Sequence, residues 1–143
     1  MNKKDKELLS KDLCARLSYG VKISYGNDED IYTLQGISEY VDDNGDWILG
    51  VTDKRMAVHL PIEVCKPHLR PLSSITKEEL KEFYKIEGMY PPPVGYFIPH
   101  PNWHFSVAGI DWLNAHHFDF RELIEKGLAI KVTDENNPYK IKD

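Results

Sequence analysis

The sequence predicts an α+β fold: a small curled antiparallel sheet or SH3-like partial barrel in the N-terminal half, packed with C-terminal helices. Three observations predict it. From about 18 to 72, short apolar runs alternate with polar residues and are broken by turn signals, as half-buried strands require. From about 73 to 133, the apolar spacing becomes helical and two capping boxes occur, Thr76-x-x-Glu79 and Asp119-x-x-Glu122. A chain of 143 residues builds one core more readily than two, so residues 1–143 are read as a single domain.

Leu8, Leu9, Leu13 and Leu17 place an apolar face on a helix over 4–17, and Gly20 ends it. Val21-Lys22-Ile23-Ser24-Tyr25 alternates as a strand. A second strand over 31–41 shifts parity at Gly36, where the inward positions pass from Tyr32 and Leu34 to Ile37, which predicts a β-bulge. Asn44-Gly45 tolerates the positive φ angles of a type I′ turn, so 47–51 returns as the partner strand and 56–60 follows after a polar turn. Pro61 and Pro67 bracket one helical turn, and 69–72 runs extended.

Thr76 begins a helix that ends near Gly88, with Ile75 stapling onto Leu80. Between Met89 and Ser106, five prolines are interleaved with Tyr90, Tyr96, Phe97, Trp103 and Phe105, which predicts an ordered loop of polyproline character. Ser106 caps a helix through His116 that turns Ile110, Trp112 and Leu113 inward. The second capping box, with Phe118 stapling onto Leu123, predicts a further helix to Gly127, then a strand over 128–132.

Apolar residues make up 41% and charged residues 29%, ordinary values that exclude a disordered or fibrous chain. The net charge of -5 is concentrated: eight acids and no Lys or Arg lie between Ile23 and Asp53, as solvated turns would place them. The charged first residues lead to no apolar stretch, and no segment is long enough to span a bilayer, so the reading is cytoplasmic with no membrane partner. Cys14 and Cys65 read as reduced thiols. No basic stripe marks a nucleic-acid footprint.

Trp112-Leu113-Asn114-Ala115-His116-His117-Phe118-Asp119-Phe120-Arg121, continued by 123–129, resembles the C-terminal signature of small uncharacterised proteins carried by prophages and other mobile elements of gut bacteria. Residues 11–17 and 69–74 are similar to the same group. The likeness implies a bacterial cytosol and a mobile-element setting. No activity is attached to the group, so it transfers no site residue.

Cys65-x2-His68 and His100-x3-His104 have spacings seen in zinc sites, although prolines lie inside both pairs and the pairs are far apart in sequence. Zinc is therefore a minor alternative to no cofactor. His116 and His117 end a predicted helix, where an imidazolium suits the dipole. Acid pairs at Asp28-Glu29-Asp30 and Asp42-Asp43 read as turn residues. No phosphate loop or nucleophile elbow occurs. The helix-turn-helix outline of 106–132 carries Arg121 and Lys126 against Glu122 and Glu125, too little positive potential for DNA. The functional expectation is a binding module that contacts an unidentified protein through Tyr90, Tyr96, Phe97 and Trp103. The alternatives are a metal-assisted hydrolase using Cys65, His68, His100 and His104, or a weak nucleic-acid-binding regulator.

Overall fold

The computed structural model describes residues 1–26, 30–41, 47–52, 57–90 and 95–140, with side chains described for all of these except 38–41 and 47–49. Helix α1 (Lys3–Arg16) opens on Asn2, whose side chain accepts from the Asp5 N–H at 2.8 Å. Leu9, Leu13 and Arg16 recur at helical spacing and are fully buried on one face. A 3₁₀ turn, Leu17–Tyr19, follows, and Gly20 leaves it at φ 68°, the left-handed conformation that glycine adopts without steric cost.

Strands β1 (Lys22–Tyr25), β2 (Ile31–Val41), β3 (Trp47–Thr52) and β4 (Ala57–Pro61) form an antiparallel meander. The expected bulge is present. Leu34 faces Val51 and Gly36 faces Gly50, so Gln35 is the extra residue. The hairpin tip at 42–46, with the acid pair Asp42-Asp43, lies outside the described residues, as do Asp28 and Glu29.

The 3₁₀ turn Ile62–Val64 leads into β5 (Cys65–Pro71), a longer strand than the sequence predicts. It lies between β1, which it meets antiparallel, and the two-residue strands β6 (Phe118–Asp119) and β7 (Ile130–Lys131), which it meets parallel. The strand order is β4-β3-β2-β1-β5-β6, with β7 also on β5. The sheet is therefore mixed rather than purely antiparallel, and it does not close among the described residues.

Helix α2 (Lys77–Glu87) has the full capping box at Thr76 and a left-handed Gly88 at its end. Helix α3 (Val107–Ala115) is capped by Ser106, whose hydroxyl accepts from Gly109 N–H. The helix expected over 119–127 does not form. The Asp119 carboxylate instead accepts from the N–H groups of Leu123 (3.0 Å) and Ile124 (2.9 Å), and Glu122 sits at φ 61°. This winds the segment into turns, since a carboxylate holding amides four and five residues on competes with the helical hydrogen-bond ladder. Phe118 stacks on Trp112 while Leu123 joins a different cluster, so the expected staple between them is absent.

Two apolar clusters result. One gathers Leu9 and Leu13 of α1, the inner faces of β1, β2 and β5, and Leu123, Leu128 and Ala129 from the C-terminal segment. The other gathers Leu80, Phe83 and Tyr84 of α2, Trp112 and Leu113 of α3, and Phe118 and Phe120. Segment 118–132 thus contributes to both. Among the described residues no helix is long and apolar enough to cross a membrane.

Candidate functional site

The connection between α2 and α3 is fixed to the helices at several points. Tyr84, buried on α2, donates its hydroxyl to the Phe97 carbonyl (2.9 Å) and accepts from the Phe97 N–H (2.8 Å), which holds the loop backbone at one residue through both of its polar groups. The Tyr96 ring meets Tyr84 edge-on at 4.9 Å, Phe105 meets Phe83 at 5.8 Å, and Pro99 is buried. Glu87, at the end of α2, accepts from both the N–H and the hydroxyl of Ser106, the cap of α3. Gly109 lies against this clasp: a Cβ there would run into the Glu87 carboxylate.

Between these anchors, apolar side chains stand in solvent. Tyr90 is 94% exposed, Phe97 54%, Ile98 47% and Val107 76%, with Met89 and Trp103 also exposed. Of the four aromatics singled out in the sequence, Tyr90, Phe97 and Trp103 are therefore accessible. Tyr96 is half-buried and serves as an anchor. Among the described residues Ile98, Met89 and Val107 add to the apolar surface; a reading keyed to aromatic rings passes over them.

The four zinc candidates have separate environments. Cys65 is buried in β5, its thiol faces the Pro61 carbonyl at 3.3 Å, and burial pushes it up to about 12, so it carries no thiolate near neutrality. His68, buried three residues along the same strand, has Nε2 2.7 Å from the Ser24 hydroxyl, and burial lowers its pKa. His100 accepts from the Asn102 N–H through Nδ1, and His104 is exposed on the loop. No group of three or more His, Cys, Asp or Glu residues suited to a metal ion occurs among the described residues.

His116 caps α3 with Nδ1 2.9 Å from the Trp112 carbonyl and its ring stacked on Trp112 at 4.1 Å. His117 departs from the expected imidazolium. Burial, and then the charges of Arg16, His116, Arg70 and Lys22, lower its pKa to about 4. It sits at φ 63° with Tyr139 stacked on it at 3.7 Å. The helix-turn-helix outline fails because turns over 123–127 stand where its second helix was expected.

Sequence reasoning missed a buried ionic cluster. Arg16 Nε meets Asp12 at 2.8 Å, Arg121 meets the other Asp12 oxygen at 2.7 Å, and Arg16 also donates to the Phe118 carbonyl at 2.6 Å. The i,i+4 spacing of Asp12 and Arg16 was the available signal. No known protein family, curated protein or solved structure matches the chain.

Proposed function

We propose that this protein is a binding module that holds another protein against the apolar surface formed by Tyr90, Phe97, Ile98, Trp103 and Val107, as a cytoplasmic accessory factor of a bacterial mobile element. The observation that carries the reading is the division of labour along the loop. Among its described residues, Tyr96, Pro99 and Phe105 make core contacts, while the consecutive residues Phe97 and Ile98 both remain exposed on a backbone held by Tyr84. Apolar side chains presented on an already ordered backbone lose little conformational freedom on association, and rings in such positions are frequent energetic anchors of interfaces. A loop serving only to close the core would gain nothing from exposing both.

The test places a photoreactive phenylalanine analogue at Phe97 in the native host, with Phe97→Ser/Ile98→Ser as a parallel chain. The reading expects one protein to crosslink in near-stoichiometric yield and to be lost from affinity capture by the double variant, whose melting midpoint stays within about 3 °C of the parent. Equal retention of the same proteins by both chains contradicts it. The mobile-element setting is tested separately by whether the captured protein is encoded beside this one.

A further inference from the structure

We infer that a second site, independent of the aromatic loop, binds the phosphate group of a small phosphate monoester in the groove between the end of β5, the end of α3 and the segment 131–139. The groove has a volume of about 680 Å³, within the range of small-molecule sites. Its lining includes Arg70, Ser73, Thr76, His116, His117 and Lys131. In a chain of net charge -5, this lining is distinct: Asp134 is its one carboxylate, and it lies 3.7 Å from the Lys140 ammonium.

Several donors here are uncommitted. Among the described residues, Lys131 and Ser73 have no hydrogen-bond or ion-pair partner from their side chains. The Thr76 hydroxyl, by contrast, is engaged with Glu79, accepting from its N–H and bonding to its carboxylate. His117 Nδ1 is buried without a partner. Arg70 is held in place by Glu79 through bonds of 2.9 and 2.7 Å and lies 4.1 Å from the centre of the Phe118 ring, so its position is fixed before any ligand arrives. Burial is the first cause of the lowered His117 pKa; the charges of Arg16, His116, Arg70 and Lys22 add to it and also favour an anion at the same place.

The polar lining comes from three sides: Arg70 and Ser73 from β5 and the following turn, the two histidines from the end of α3, and Lys131 from β7. A tetrahedral oxyanion offers oxygens in all three directions, whereas a planar carboxylate has two oxygens in one plane. Pro71, Ala115 and Val132 are part of the remaining lining and offer apolar surface to the organic part of the ligand.

The experiment titrates the labelled full-length chain with inorganic phosphate, phenyl phosphate and acetate at constant ionic strength near neutral pH, following backbone amides by NMR. Phosphate and phenyl phosphate are expected to shift Ser73, Thr76, His117 and Lys131 saturably, phenyl phosphate about fivefold more tightly. Lys131→Glu, at an exposed position, is expected to weaken both by about tenfold, the order expected for losing a charged contact, without changing the fold. Absence of saturation by about 20 mM, equal binding of acetate, or full affinity in Lys131→Glu overturns the site. Equal affinity for the two phosphates overturns the monoester assignment in favour of free phosphate.

Discussion

Asp12 and Arg16 are fully buried on the face of α1 that also carries Leu9 and Leu13. Asp12 pairs with Arg16 and Arg121, and Arg16 also donates to the Phe118 carbonyl and lies 5.7 Å from the centre of the Phe120 ring. Removing one member of such a group leaves a buried charge uncompensated, so Asp12→Ala is expected to cost about 3–5 kcal/mol in urea unfolding, far more than truncation of an exposed acid such as Glu7. A sequence search for apolar faces does not find this pair, because it treats charges on a helix as the solvent side. His117 makes a second residue-scale prediction. Its pKa is about 4 in the folded chain and 6.5 when unfolded, so the unfolded state takes up the proton first. The stability it contributes is present above pH 6.5 and lost as pH falls toward 4, by about 2 kcal/mol once solvent screening of the partly exposed ring is allowed for. His68, lowered by burial, acts in the same direction. Thermal melts across that window are expected to show a falling midpoint, with a shallower fall in His117→Asn, which retains a residue tolerant of the left-handed backbone.

Among the elements, those with complete local signals were legible. Thr76 and Glu79 make both bonds of the capping box, and Gly88 ends α2 as expected. Thr76→Ala is expected to cost about 1 kcal/mol by thermal melting. Asp119-x-x-Glu122 shows the same four-residue pattern without the same outcome, because the Asp119 carboxylate engages two later amides and Glu122 takes a left-handed conformation. Nothing in the pattern distinguishes these cases; the difference lies in the pairing of Phe118–Asp119 with β5. Strand β5 itself was obscured by Pro67 and Pro71, which argue against an interior strand. Its neighbours are instead held through residues between the prolines, with Val132 N–H on the Leu69 carbonyl at 2.8 Å, and Arg70 N–H on the His117 carbonyl at 2.7 Å. At Phe97 the aromatic loop is held by a single phenol. Tyr84→Phe removes both bonds to Phe97, and faster hydrogen exchange at the Phe97 amide, with little change in α2, is the expected result.

Across the whole molecule, the boundary near residue 73 that the sequence suggested does not separate two interiors. Leu123, Leu128 and Ala129 complete the cluster of the N-terminal strands, and Arg121 and the Phe118 carbonyl complete the charge cluster of α1. A fragment of residues 1–75 would therefore expose the Leu9 and Leu13 face and strand the Asp12–Arg16 pair. It is expected to show no cooperative melt, while the full chain unfolds in one transition. These long-range closures connect residues more than a hundred positions apart and leave no local pattern to read. The aromatic loop is the converse case: its composition was visible, but only the structure divides its rings between anchors and accessible surface. That division is the central claim, and the melting midpoint of Tyr90→Ala/Phe97→Ala tests it most directly. A midpoint within about 3 °C of the parent is the result the account predicts, since Tyr90 is 94% and Phe97 54% exposed; a fall of about 8 °C or more would show that they hold the fold together and contradict the account.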